Sequence, residues 1–246
     1  MKASYVAGNL AALLVLTAAA TSNAQDVPRM ADGKPDFSGI YTPPSTVNAT
    51  GPRGNLIFNA DKMAPVKPGA EGLLYEARNG DPRHDEPRAM CLPAGFPSGM
   101  LYILPIQIVQ NAKNIVIIPE LQRAARIIPT DGRPHREGIE PTYYGDSVGK
   151  WEGDVLVIDV RNFVEDTWIG EKGYFHTDAL RVVERLWLDG DNLVWQATVH
   201  DPNVLAAPWT QASRMLSRTT QPLEESPPCH EQDGDKLLNK DHHFQR

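Results

Sequence analysis

The chain contains only two cysteines among 246 residues, and it has no block of lysine or arginine. It also lacks C-x-x-C and H-E-x-x-H spacings, so the sequence does not indicate a local zinc site. A formal net charge of −7 disfavours nucleic-acid binding. Beyond the first two dozen residues no apolar run reaches the roughly 18 residues of a transmembrane helix, so we expect no stable membrane insertion.

The amino terminus has the pattern of a secretory signal peptide. Lys2 supplies a positive start, Leu10 to Ala20 form an apolar segment, and Ser22-Asn23-Ala24 is a small-residue cleavage site. We therefore expect residues 1–24 to be removed and the mature protein to be periplasmic or secreted.

The mature chain, residues 25–246, is predicted to be a single domain. Eleven of the 21 prolines lie between Pro28 and Pro97, which excludes long regular elements there. The predicted parts are an irregular proline-rich arm, a barrel core and a polar tail, at residues 25–99, 100–219 and 220–246. In an oxidising compartment Cys91 and Cys229 are predicted to form a disulfide that joins the arm to the end of the barrel; two free buried thiols are the alternative.

After the arm, short β-branched segments alternate with turn sequences, which is typical of strands. The predicted strands there are Leu101 to Gln110, Asn114 to Ile118, Ala124 to Ile128, Val155 to Val160, Leu180 to Leu188, Leu193 to His200 and Ser213 to Arg218. Within the arm, Asp36 to Tyr41 is predicted to be a short first strand. From Leu101 onward no helical pattern of ten or more residues lies between successive strands, so parallel βαβ units are disfavoured. The sequence predicts a mainly β protein: an antiparallel up-and-down, lipocalin-like β-barrel, with a two-sheet β-sandwich as the alternative.

One carboxylate interrupts an apolar strand face. The alternate residues from Leu180 to Leu188 are apolar except for Glu184. Burying a carboxylate costs several kcal/mol unless it is paired. Glu184 is therefore predicted either to take part in acid–base chemistry or to form a structural ion pair with an arginine such as Arg126 or Arg214.

Aromatic residues are concentrated between Asp131 and Trp209, a segment that contains all five tryptophans. Large flat side chains with a few ionisable groups are typical of a pocket for an apolar or aromatic small molecule. The candidate ligand-binding residues are Tyr143, Trp151, Trp168 and Trp209. The alternative is that these aromatics belong to the barrel core and to ordinary surface.

Two further kinds of site are weighed and disfavoured. Gly145 to Gly149 match G-x-S-x-G around Ser147, with Asp159 and His176 following, but no helix follows the serine as a hydrolase elbow requires. A metal site assembled from distant strands by His135, His176 and Glu184 is a second alternative. We expect no metal and no organic cofactor.

Several motifs together resemble those of a known group of proteins. They are Asp32 to Gly39, Cys91-Leu92-Pro93, Asp131 to His135, Ser147 to Asp154, His176-Thr177, Glu184-Arg185 and Pro208-Trp209-Thr210. Over nearly the whole mature chain the sequence is similar to a large family of secreted proteins from acidobacteria and proteobacteria. The resemblance implies that His135, His176, Glu184 and Trp209 lie in shared motifs, and it implies no particular activity.

These patterns favour an exported barrel that binds a small hydrophobic or aromatic molecule. A lyase, isomerase or hydrolase is the leading hypothesis, with His176 as base, Glu184 or His135 as acid, and Tyr144 as donor to a developing oxyanion. The alternative is a non-catalytic periplasmic carrier, in which the same groups only orient the ligand. A third possibility is a structural or assembly protein without a pocket. Catalysis requires that at least two ionisable side chains converge on one cavity.

Overall fold

The computed structural model describes residues 27–43, 64–70, 92–101, 104–120, 125–165, 167–169 and 176–225. The predicted signal peptide, both cysteines of the predicted disulfide, and most of the proline-rich arm and polar tail lie outside these residues. In the part of the chain that is described, no helix is long and apolar enough to cross a membrane.

The described chain is nearly all β-structure. Its ten strands are β1 (Gly39–Thr42), β2 (Ile106–Gln110), β3 (Asn114–Pro119), β4 (Arg126–Pro129), β5 (Asp146–Glu152), β6 (Val155–Arg161), β7 (Arg181–Asp189), β8 (Asn192–His200), β9 (Trp209–Thr210) and β10 (Arg214–Thr219). A short 3-10 helix spans Ser98–Leu101. The predicted β class is therefore confirmed.

The strands follow one another around a nearly closed barrel. Their order in the sheet is β4-β3-β2-β1-β10-β8-β7-β6-β5, and every pairing is antiparallel. Strand β9 also pairs with β8, and the pairing register shifts by one residue between β9 and β10, so the two are halves of one strand interrupted by a bulge. This is the predicted up-and-down barrel, and the sandwich alternative is not what the chain forms.

Strand β5 was not among the predicted strands. Its sequence Asp146–Glu152 contains Gly149 and Lys150, which have low β-propensity, so residue preference alone indicated a loop. The strand forms because a tight turn at Gly153, with φ of 62°, brings it back onto β6, where all seven of its residues find partners. Cross-strand pairing here overrides local propensity.

Side chains that alternate inward along the strands form one continuous core. Tyr41, Ile158, Leu186 and Trp195 are each completely buried. The segment before β2 adds Phe96 and Met100 to this same core. Aromatic and aliphatic side chains thus pack the barrel interior, and part of the proline-rich arm covers it.

The barrel has a seam between β4 and β5, which lie side by side at the two ends of the strand order without pairing. Pro129 has no N–H, so β4 lacks a donor at that position. A Cβ added to Gly149 of β5 would lie 3.0 Å from a methyl of Thr130 and 3.1 Å from a methyl of Ile128. Side-chain packing against a glycine thus replaces the hydrogen-bonded ladder at this end of the seam.

The close backbone packing at the start of β5 can be tested by comparing substitutions at two glycines. Gly145 (φ 66°) and Gly153 (φ 62°) share a left-handed backbone, so alanine strains both by about 1 kcal/mol. An added Cβ at Gly145 would lie 2.7 Å from the Arg161 carbonyl oxygen, whereas at Gly153 it meets nothing within 4 Å. We expect Gly145→Ala to lower the free energy of unfolding by at least about 1 kcal/mol more than Gly153→Ala in urea titrations. Equal losses would show that the close approach is absent.

Candidate functional site

The buried carboxylate identified in the sequence has an arginine partner. Glu184 on β7 is fully buried, and Arg126 on β4 is 4% exposed. Arg126 Nη1 and Nη2 donate to the two Glu184 carboxylate oxygens at 3.0 and 2.5 Å. Trp195 Nε1 donates to Glu184 at 2.8 Å. Of the two predicted roles, the geometry corresponds to the structural ion pair, formed with Arg126 and not with Arg214.

The other side of the Arg126 guanidinium contacts strand β5. Its Nε and Nη2 donate to the Ser147 hydroxyl oxygen at 3.0 and 2.9 Å. The Phe96 ring covers the guanidinium, with its centroid 3.9 Å from Arg126 Cζ. Ser147 lies within a strand and is bonded to an arginine, so the described residues do not form the elbow and triad of a serine hydrolase.

A cleft of about 410 Å³ opens at this point of the seam. Its polar lining comprises Asn114, Arg126, Arg133, Arg136, Thr142, Tyr144, Asp146 and Ser147, and its apolar lining comprises Ala125, Ile127, Pro129, Pro134, Gly145 and Val148. The volume falls within the range of small-molecule pockets, about 300–1,000 Å³. The cleft lies between β4 and the chain entering β5, at the seam of the barrel and not along its axis.

Tyr144 is the predicted catalytic residue that lines this cleft. Its ring centroid lies 6.5 Å from that of Phe96, so the two aromatic rings and Arg126 form one cluster. Burial raises the pKa of the Tyr144 hydroxyl above its usual value, and the nearby Arg126 charge only partly opposes this. At neutral pH the hydroxyl is therefore protonated and is a hydrogen-bond donor.

His135 lies between two carboxylates at the edge of the cleft. Its Nδ1 is 2.9 Å from Asp146, a cleft residue, and its Nε2 is 3.3 Å from Asp159 but makes no hydrogen bond. Burial favours the neutral form of Asp146, but hydrogen bonds from Arg136 and His135 outweigh it and lower the Asp146 pKa. Asp146 is thus a charged group that holds the imidazole in place.

His176 is 1% exposed and has partners on both ring nitrogens. Nδ1 lies 2.9 Å from the Thr177 carbonyl oxygen, to which it donates, and Nε2 accepts from the Thr167 hydroxyl at 2.6 Å. Burial lowers the His176 pKa, and the bond to Thr177 only partly opposes this. The structure therefore encloses a neutral imidazole that does not line the cleft.

The proposed ligand-binding aromatics lie apart from the cleft. Trp209, 4% exposed, packs in the barrel core, and Trp168 is 8% exposed. Trp151 lies 5.2 Å from Phe37, ring centroid to ring centroid, and Tyr143 is partly exposed. None of these four is among the cleft residues.

The three side chains expected to converge have separate partners. Among the described residues no hydrogen bond or ion pair joins His135, His176 and Glu184 to one another. Within that part of the chain, no group of three or more His, Cys, Asp or Glu side chains is arranged to hold a metal ion.

Fold and site together define a class: a nearly closed antiparallel β-barrel with a packed interior and a polar cleft at its seam. Neither a protein-family model nor a curated protein matches the chain in sequence.

The sequence patterns do not predict the cleft, and they underrate Arg126, which lines it, and Phe96, whose ring covers the Arg126 guanidinium. Arg126 was considered only as an ion-pair partner, and Phe96 was placed in the arm without a role. One signal was available: Arg126 has the same alternation phase as buried Ile128. This phase places a second charged residue on the inward face, which agrees with the predicted pairing of Arg126 and Glu184 as complementary charges.

The ion pair can be tested by removing one or both charges. Glu184→Leu leaves the Arg126 guanidinium buried without its counter-charge, so we expect the free energy of unfolding to fall by about 3–5 kcal/mol. The double variant Glu184→Leu with Arg126→Met removes both charges, and we expect it to lose less than the single variant. Urea unfolding of the singles and the double measures this coupling. If the losses of the two single variants sum to the loss of the double variant, the two side chains are not coupled and the ion pair is contradicted.

His176 should contribute to stability in a definite pH window. Its folded pKa is lowered, so the unfolded chain binds the proton first as the pH falls below about 6.5. The contribution is complete above that pH and declines as the pH falls towards the folded pKa. We expect His176→Gln to lose less stability between pH 7 and pH 5.5 than the unaltered protein, measured by urea unfolding at each pH. Identical pH slopes would contradict the enclosed neutral imidazole.

Proposed function

We propose that the protein binds a small molecule with an apolar or aromatic body in the seam cleft. The observation that supports this most directly is the cleft itself, which has a volume of about 410 Å³ and is lined both by apolar side chains and by several hydrogen-bonding groups. Small-molecule sites commonly have this combination. The described core side chains are buried inside the barrel, whereas the cleft opens at its seam, so we place the ligand at the seam.

Binding without chemistry is the function that the geometry supports best. Glu184 accepts hydrogen bonds from Arg126 and Trp195, so its charge is already neutralised. His176 is enclosed with both nitrogens bonded. Neither lines the cleft, which favours a carrier or binding protein over the acid–base enzyme built on these two residues.

One arrangement supports a narrower catalytic proposal. Asp146 lines the cleft and holds His135, in the way that a carboxylate orients a catalytic imidazole. Tyr144 provides a hydroxyl donor in the same cleft. An acid–base enzyme using His135 and Tyr144 is therefore the second candidate, with the same binding site as the carrier. His135 is not itself among the cleft residues; it lies between Pro134 and Arg136, which are.

We also propose that the protein is exported. The support is the amino-terminal pattern of Lys2, the apolar segment from Leu10 to Ala20, and the cleavage site that ends at Ala24. Export agrees with a periplasmic or secreted carrier for a small hydrophobic ligand.

The cleft can be tested with a fluorescent aromatic probe and one filling substitution. We expect 2-naphthoate to bind the unaltered protein, and Val148→Trp, which fills the cleft from β5, to weaken binding at least about tenfold. Lys150→Trp is the matched control, because Lys150 lies two residues along the same strand face, is exposed and does not line the cleft. Fluorescence titration gives both dissociation constants, and circular dichroism checks the fold.

Two results would overturn the proposal. Failure of the probe to bind at millimolar concentration would remove the binding function. Equal weakening by Val148→Trp and Lys150→Trp would place the site elsewhere on the barrel.

A further inference from the structure

The polar groups of the seam cleft are mostly hydrogen-bond donors. Three arginines, Arg126, Arg133 and Arg136, line it together with one carboxylate, Asp146. The acceptor capacity of Asp146 is largely taken, because the backbone N–H and Nε of Arg136 both donate to it, and His135 Nδ1 is within hydrogen-bond distance. Asn114 and Thr142 also line the cleft, and their side chains can accept as well as donate. The charged groups that a ligand meets are nevertheless mainly N–H donors.

At the buried end of the cleft, Arg126, Ser147 and Tyr144 each keep one hydrogen without an acceptor among the described residues. Arg126 uses four contacts, two to Glu184 and two to Ser147, and a guanidinium has five N–H bonds. The Ser147 oxygen accepts both of its contacts, so its own O–H hydrogen is not used. Within the described chain the Tyr144 hydroxyl has no hydrogen-bond partner, and burial keeps it protonated.

The solvent-facing end of the cleft contains two exposed arginines, Arg133 and Arg136. Arg133, 52% exposed, is paired with Asp131, and Arg136, 64% exposed, is paired with Asp146 through Nε. The other guanidinium edges of both remain able to donate to a ligand. This arrangement contrasts with the whole chain, whose formal net charge is −7.

We propose that the ligand of the seam cleft is an aromatic carboxylate, with its carboxylate facing these donors and its ring against the apolar wall formed by residues such as Ile127 and Val148. This rests on the proposed binding function. A carboxylate offers only acceptors, and it satisfies planar guanidinium and hydroxyl donors together. Because each arginine already has a carboxylate partner, the preference should be about tenfold and not an absolute requirement.

The test compares two probes of almost equal shape. At pH 7 we expect 2-naphthoate to bind at least about tenfold more tightly than neutral 2-naphthol. Arg133→Gln and Tyr144→Phe should each weaken the binding of 2-naphthoate about three- to tenfold and change that of 2-naphthol less than twofold.

Arg185→Gln is the control for lost positive charge, because Arg185 is 44% exposed, pairs with Glu152 and lies outside the cleft. It should leave both affinities unchanged. Added salt should weaken 2-naphthoate alone.

The possible outcomes separate this inference from the proposed function. If 2-naphthol binds as tightly as 2-naphthoate, and Val148→Trp blocks both, the cleft is a binding site but the carboxylate preference is wrong. If Arg185→Gln weakens 2-naphthoate as much as Arg133→Gln does, overall charge and not the cleft determines affinity, which also overturns the inference. If neither probe binds, both proposals fail.

Discussion

The buried pair of Arg126 and Glu184 is the interaction on which the site depends. It joins β4 to β7 through the barrel interior, although these strands are not neighbours in the sheet. The same guanidinium bonds Ser147 on β5 and lies under Phe96 of the preceding segment. One arginine therefore connects both sides of the seam, the far wall of the barrel and the segment that covers it.

The seam shows how an up-and-down barrel can close without a complete ladder. At one end a glycine lets β5 pack closely against β4, and at the other end an arginine and a serine bridge the two strands. The cleft opens at the bridged end. Its buried end is thus polar and fixed by hydrogen bonds, and apolar side chains line other parts of it. This combination is suited to orienting a small amphipathic molecule.

Much of the fold was predictable, and the reasons are local. Alternating apolar residues identified most strands, and the odd carboxylate in that alternation correctly marked Glu184 as buried. Strand β5 was missed because glycine and lysine have low β-propensity, while the turn at Gly153 and pairing with β6 determine the outcome.

The cleft could not be predicted, because it depends on how closely β4 and β5 approach across a gap of many residues. The expected meeting of His135, His176 and Glu184 was inferred from residue type alone, and the chain gives each of them different partners.

The central claim is that a small molecule binds at the seam and not in the barrel interior. Amide chemical shifts recorded by NMR during titration with 2-naphthoate test it most directly. The account predicts that the largest changes fall at the chain entering β5, residues 142–148, and along β4, with little change at Leu193 to Ala197 on β8. Changes centred on β8 and β10, or no changes at any residue, would contradict it.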